Sequence, residues 1–483
     1  MSDLMSDGLA RNFLAGAWVE GDGGARIAVE DPGTEEHFAD CALAGEATLA
    51  KALEAARVSF ERGDLADMQP SARSRMMVRV ASEIRAIADE GATILCRESG
   101  KTLDAARDEF EEAAQYFEYY GGVADKIEGK SIPLGPDYVD YTTYEPFGVS
   151  AQVVPWNFPV SIAARSLAPS MAAGNSTVIK SPELDPIGLS LLGSALERAD
   201  VPSGVVSILN GIGSELGARL VRSTEVDQIV FTGSVQTGQA ILHAAADSVT
   251  PSLMELGGKS AAILFDDADL DMFLASLKSG IFYNAGQVCS AMARVLVDRS
   301  IYEDAVERSA ILSNGLSVDH GLINPDHTPV ISDLQLSRIE NVTSTARQEG
   351  ARIAAGGARL DRKGHFMAPT ILADVDPASH AAQQEIFGPV SCFTPFETEA
   401  EAIAIANGTE FGLVSGVFTK DLARAHRVAR KLRAGQVFVN EWFAGGISTP
   451  FGGVGKSGFG REKGLEALYN YVRTKNVAIS LKG

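Results

Sequence analysis

Three residues far apart in the chain are of types that could act together on a carbonyl group. Asn284-Ala-Gly-Gln-Val-Cys289-Ser290 surrounds one cysteine with small, polar and glycine residues. A cysteine without a partner is commonly a buried small hydrophobe. A polar, glycine-containing setting is better suited to a reactive thiol, and at this level both readings stand. The seven histidines are scattered, so a nucleophilic Cys289 would draw its base from a carboxylate. Glu255, in Met254-Glu-Leu-Gly-Gly-Lys259, ends an apolar run and precedes two glycines. An acid at that point sits where open α/β sheets place ligands, or is a solvated strand end. Pro155-Trp-Asn-Phe-Pro159 is a stiff segment, and a buried Asn157 must be hydrogen-bonded or aimed at a ligand. An amide N–H held by stiff neighbours is a natural oxyanion donor. Glu385-Ile-Phe-Gly-Pro389 is a similar acid-then-turn element.

Glycine-rich turns offer a second kind of chemistry. Gly211-Ile-Gly213-Ser-Glu-Leu-Gly217 follows an apolar run, one residue longer than the usual dinucleotide fingerprint. Phe231-Thr-Gly233-Ser234 opens another helical stretch, either as an anion site or with Ser234 as an ordinary N-cap. Pro450-Phe-Gly-Gly-Val-Gly-Lys456-Ser457 nearly spells a P-loop. Proline at its first position has neither the N–H nor the positive φ of a phosphate nest, which excludes nucleotide-triphosphate hydrolysis.

The elements that must position these residues alternate. From residue 148 onward, VSAQVVP, STVIKS, VVSILNG, DQIVFTGS and PSLMELGG are β runs, separated by helical patterns over 160–173, 186–199, 214–222 and 235–246. Such alternation predicts right-handed βαβ units and a parallel sheet covered on both faces. A second α/β stretch runs over 260–445. Earlier, helical spacing is read over 46–60, 73–88 and 102–120, the last ended by Gly121 and Gly122. YVDYTTY at 138–144 is rich in β-formers but too polar for a central strand, so an exposed or intersubunit strand is expected.

Composition bounds the possibilities. The 483 residues predict two to four domains. A net charge of −21 argues against nucleic acid and against an anionic membrane surface as partners. The four cysteines form no CxxC pair, which leaves no zinc-ribbon motif and no expected metal. Residues 1–8 lack a basic, apolar leader pattern, and no apolar run reaches membrane-spanning length. A soluble cytoplasmic protein is the expectation.

Taken in order, VVPWNFP, TVIKSPE, FTGSVQTG, MELGGKS, YNAGQVCS, QEIFGPV and TPFGGVGKSGFGREKG resemble, end to end, the NAD(P)-dependent aldehyde dehydrogenase superfamily. The resemblance implies an α/β fold with a Rossmann-type cofactor domain (1–124 and 147–256), an α/β catalytic domain (257–456), and a small β oligomerisation flap (125–146 with 457–483). It implies that Cys289 is the catalytic thiol and that Glu255, 34 residues upstream, is the general base. Asn157 would be the oxyanion donor, together with the backbone N–H of Cys289. Lys180 and Glu183 would hold the adenine ribose. Trp156, Phe231, Gly233 and Ser234 would wall the pyrophosphate and adenosine, with Gly213 and Gly217 in the preceding loop. Glu385 and Phe387 would grip the nicotinamide ribose and ring. A carboxylate at Glu183 accepts ribose hydroxyls and repels a 2′-phosphate, so NAD is expected over NADP. The family more often has Pro directly after the lysine, whereas this chain reads Lys180-Ser-Pro-Glu183. A homodimer or homotetramer follows from the resemblance.

The substrate is less determined. Arg165 lies eight residues after Asn157, about two helical turns on. Relatives with arginine there act on carboxylated semialdehydes, hydroxyaldehydes or some aromatic aldehydes, so a substrate acid is one expectation. A pair with a protein carboxylate is the other. Succinate-semialdehyde relatives often carry a second arginine where this chain has Tyr283. Phe158, Tyr283, Trp442 and Phe451 could instead line an aromatic pocket, or serve as core. The C-terminal motif also resembles betaine- and amino-aldehyde relatives. A coenzyme-A-acylating enzyme usually lacks the base, and lens-protein relatives lack the thiol, so Glu255 and Cys289 favour hydrolytic oxidation of a small aldehyde.

Overall fold

The computed structural model describes residues 8–482. Of the stretch 1–8 read for a leader pattern, residues 1–7 lie outside the described residues. An eight-stranded sheet has the order Gly458–Phe459, Ser252–Glu255, Gln228–Thr232, Val149–Val153, Ser176–Ser181, Val206–Asn210, Asn12–Leu14, Ala17–Val19. Its five middle strands are parallel, as the alternation of β runs and helices predicted. The strand order reverses between Val149–Val153 and Gln228–Thr232. Beyond the carboxyl ends of such a pair, open α/β sheets form a ligand crevice. The two loops that leave these ends are Pro155-Trp-Asn-Phe158 and Gly233-Ser234.

The helix Pro159–Ala173 follows at once, with Pro at its first turn and Gly174 (φ 101°) closing it. All fifteen of its residues are buried, because it lies inside the first hydrophobic core rather than on its surface. Arg165 is carried into that core and needs an anion there. The helix Leu103–Val123, capped by Thr102, packs against it. This helix runs straight through Gly121 and Gly122, contrary to the expectation that they end it. The reason is packing: a Cβ at Gly121 would lie 3.1 Å from Met77 Cβ on the helix Pro70–Ala86.

A second, seven-stranded sheet contains Arg352–Ala355, Thr370–Ala373, Val390–Phe396, Arg294–Asp298, Ala261–Leu264, Val414–Phe418 and Gln436–Val439, parallel except for the first. A three-stranded sheet pairs Tyr138–Pro146 with Val472–Ser480 over nine residues and with Ser131–Ile132. Tyr138, Val139 and Tyr141 are exposed on it, as expected for YVDYTTY.

One expected boundary needs correction. The oligomerisation segment was expected to begin at 457, yet Gly458–Phe459 pairs antiparallel with Met254 and Glu255 on the edge of the first sheet. A Cβ at Gly458 would lie 1.9 Å from Met254 O, so only glycine lets the two backbones approach this closely. Ser457 adds a brace: its O accepts from Leu256 N (3.0 Å) and its Oγ donates to Gly257 O (2.7 Å). The glycine-dense C-terminal segment thus holds the Glu255 loop in place. Among the described residues, no helix is long and apolar enough to cross a membrane.

Candidate active site

Two cavities, of about 460 and 490 Å³, meet at Cys289 and Asn157, which line both. The larger one sits at the strand-order reversal. Its walls include Trp156, Gly233, Ser234, Glu255, Glu385 and Phe387. The other is walled by Arg165, Phe158, Tyr283 and Phe451. One cysteine therefore borders both spaces.

The loop that carries Cys289 is stiffened from within. Asn284 and Ala285 take left-handed φ values of 48° and 52°. Gln287 Nε2 donates to Asn284 O (3.1 Å), and Gln287 Oε1 accepts from Ile331 N (2.9 Å). Asn157 Nδ2 donates to Gln287 O (3.1 Å), which leaves its second N–H for another acceptor. The backbone carbonyl of Asn157 accepts from Lys101 Nζ (2.9 Å) and from Asn284 Nδ2 (3.0 Å). Lys101 is buried, ion-paired with Glu109, and 4.6 Å above the Phe158 ring. Sequence reading missed Lys101 and Asn284. Nothing in spacing pairs position 101 with position 157, whereas Asn284 lies within the motif that singled out Cys289.

Glu255 ends its strand as expected, and it is buried with neither carboxylate oxygen hydrogen-bonded. Burial, then the nearby Glu462, push its carboxyl well above the usual range, against the pull of Arg165 and Arg461. An acid held this way can take up a proton from a neutral nucleophile such as water. Burial also pushes the Cys289 thiol up to about 12, with Arg165 opposing. Two glycines let the Glu255 loop pass close to Glu385 and to the Cys289 backbone. A Cβ at Gly257 would lie 2.1 Å from Glu385 Oε2, and one at Gly258 would lie 2.4 Å from Cys289 O. Gly258 N instead donates to Glu385 Oε1 (2.9 Å). Enclosure raises the Glu385 carboxyl to about 7, against that hydrogen bond and Lys259.

Trp156 and Phe387 meet edge to face at 5.2 Å, with Phe387 at φ 55°. Lys180 and Glu183 pair at 2.5 Å, and a Cβ at Gly213 would lie 3.6 Å from both. Burial acts to raise the Glu183 carboxyl, but Lys180 outweighs it and the group sits low. Ser234 caps the helix Val235–Ser248 by accepting from Thr237 N (3.2 Å), so the N-cap reading is correct, and Ser234 lines the cavity as well.

Lys180, Glu183 and Gly213 line neither cavity, and three further expected site residues lie elsewhere. Phe231 is buried in the core between strand and helix; its ring is 2.6 Å from where a Gly233 Cβ would be. Gly217 is buried at the head of the helix Ala218–Arg222 and lines neither cavity. Trp442 is core, not pocket wall: it is 3% exposed and packs on Phe438. Its Nε1–H donates to Ser290 O (3.0 Å), which steadies the residue after the thiol.

Arg165 lines its cavity, yet its guanidinium is ion-paired with buried Glu462. Ser166 Oγ also donates to Glu462 (2.7 Å). The alternative of a protein partner for Arg165 is thus realised. Arg165→Leu would strand a buried carboxylate, at a cost of about 3–5 kcal/mol. Urea unfolding is expected to show that loss, and Arg165→Leu with Glu462→Leu is expected to recover most of it. A loss below about 1 kcal/mol would contradict the assignment.

Comparison with known proteins agrees with this geometry. Residues 18–477 match the aldehyde dehydrogenase family. The chain belongs to the aldehyde dehydrogenase family. It is 37% identical over 468 residues to an aldehyde dehydrogenase of Aspergillus niger, covering 96% of this chain and 94% of that one. It is 39% identical over 477 residues to a betaine aldehyde dehydrogenase of Cereibacter sphaeroides, covering 98% and 97%. A solved NAD+ complex of the Bacillus cereus aldehyde dehydrogenase matches at TM-score 0.97 and 35% identity, covering 99% of this chain and 98% of that one. The chain is accordingly an aldehyde-oxidising oxidoreductase of α/β architecture.

Proposed function

We propose that this chain oxidises an aldehyde to its carboxylic acid with NAD, through covalent attachment to Cys289. The observation that carries this reading is that Cys289 and Asn157 face both cavities, so that a substrate on one side can meet a cofactor on the other. The cofactor side fits a dinucleotide. It lies at the strand-order reversal, a helix start opens onto it, and the Lys180–Glu183 pair stands beside the bare Cα of Gly213. Trp156, Gly233 and Ser234 would hold the adenosine and pyrophosphate, with Glu385 and Phe387 at the nicotinamide ribose and ring. Bound NAD would supply a hydride acceptor.

The chain's own residues do the rest. The Cys289 thiol releases its proton to solvent as its sulfur bonds to the aldehyde carbon, and the carbonyl oxygen gains the electron pair. The free N–H of Asn157 and the Cys289 backbone N–H hold that oxyanion. Loss of hydride leaves a thioester on Cys289. Glu255 removes a proton from a water that attacks the thioester, and the thiolate departs. The placement of Glu255 on the cavity wall favours hydrolysis over transfer to coenzyme A.

Glu183, held ionised by Lys180, would reject a 2′-phosphate, so NAD is preferred over NADP. Glu183→Ala is expected to shift the NADP/NAD ratio of kcat/KM about tenfold toward NADP. Cofactor dissociation constants, read by fluorescence quenching without aldehyde, should move in the same direction. An unchanged ratio would remove Glu183 from cofactor choice. The exposed apolar residues of the three-stranded sheet suit a homodimer or homotetramer. A catalytic thiol suits a reducing compartment such as the cytoplasm. A substrate carboxylate at Arg165 is not retained, because Glu462 already answers that charge.

A further inference from the structure

The cavity on the substrate side carries more information than its family membership. Phe158 and Tyr283 stack nearly parallel, with centroids 5.9 Å apart and planes 18° apart. They come from the oxyanion loop and the thiol loop, so their flat wall stands beside Cys289. Lys101, 4.6 Å from the Phe158 ring centre, backs this ring. Phe443 and Phe451, from the C-terminal loop, add two more rings to the lining.

The charges around these rings are already matched. Arg165 is paired with Glu462, and Lys463 lies 3.4 Å from Glu112. Both cations also lie over Phe451, at 5.5 and 5.9 Å from its centroid. That ring is therefore committed to resident cations, which disfavours a cationic substrate. Asp108 lines the same cavity without an ion pair among the described residues, which disfavours an anionic one.

Resting on the reading that Cys289 oxidises aldehydes, we propose that this cavity selects uncharged aromatic aldehydes. The substrate ring extends the Phe158–Tyr283 stack in the offset geometry that aromatic groups prefer. Tyr283 is the specificity-determining residue: it is exposed, it lines the cavity together with Cys289, and the thiol loop itself carries it.

The test measures kcat/KM for benzaldehyde, 4-carboxybenzaldehyde, succinate semialdehyde, betaine aldehyde and hexanal. Benzaldehyde is expected to exceed each charged aldehyde by about tenfold or more, and hexanal by about fivefold. Tyr283→Leu should erase the advantage over hexanal, and Tyr283→Phe should keep it. A preference for a charged aldehyde, or a benzaldehyde advantage that survives Tyr283→Leu, overturns the proposal. A second readout needs no turnover: calorimetric binding of the unreactive amides benzamide and succinamate. Tighter benzamide binding supports the aromatic wall, and tighter succinamate binding overturns it. Failure of all five aldehydes to react, with benzamide still bound, would instead defeat the aldehyde-oxidation reading on which the proposal rests.

Discussion

Cys289→Ala is expected to lower aldehyde-dependent reduction of NAD by at least about 10⁴-fold, the loss typical of removing a covalent nucleophile. Cys289 stands where two cavities meet, and no second cysteine lines either of them. Cys41, Cys96 and Cys392 are buried elsewhere. The substitution leaves the loop's own supports in place, because the side chains of Asn157, Gln287 and Trp442 donate to the backbone carbonyls of Gln287, Asn284 and Ser290. Cofactor affinity, measured without aldehyde, should therefore stay within about threefold, and the fold should be unchanged. Aldehyde-dependent NADH formation by a folded Cys289→Ala chain would refute the covalent route.

Glu255→Gln should separate the two halves of the reaction. Steady-state turnover is expected to fall about 10²–10⁴-fold, the usual contribution of a general base. A pre-steady-state burst of NADH, close to one per site, should remain, because the base acts after hydride has left. The two forms should also differ in pH dependence. Burial and Glu462 raise the Glu255 carboxyl, so its basic form accumulates only as pH rises above the usual carboxylate range. Deacylation in the native chain should therefore rise with pH through that ionisation, and Glu255→Gln should lack that limb. Loss of the burst together with turnover would place Glu255 before thioester formation instead.

The sequence pattern made much of this site legible because its functional residues occur at the ends of strands. Glu255 ends a β run, Asn157 and the Gly233-Ser234 turn follow others, and the parallel sheet delivers them to one crevice. Periodicity failed where tertiary packing outweighed local preference. The helix continues through Gly121, where a neighbouring helix packs close against the bare Cα, and on through Gly122, where a side chain would meet open space. Trp442 follows Asn440-Glu441 and precedes Phe443 in sequence, with nothing to mark it as core, yet the space beside Gly280 and Gly416 draws it in. Phe231 is buried because its strand is covered on both faces, so either side of it is core. Long-range ion pairs left no local trace: Glu462 lies within a quoted motif, but nothing in spacing ties it to Arg165, and Lys101 is likewise invisible beside Asn157.

The most direct measurement is the intact mass of Glu255→Gln, quenched in acid within the burst after mixing with NAD and benzaldehyde. The account predicts a mass increase equal to one benzoyl group, with peptide mapping placing it on Cys289 as a thioester. An unmodified chain despite a full burst of NADH, or an acyl group on any other residue, would contradict the central claim that oxidation proceeds on the Cys289 sulfur.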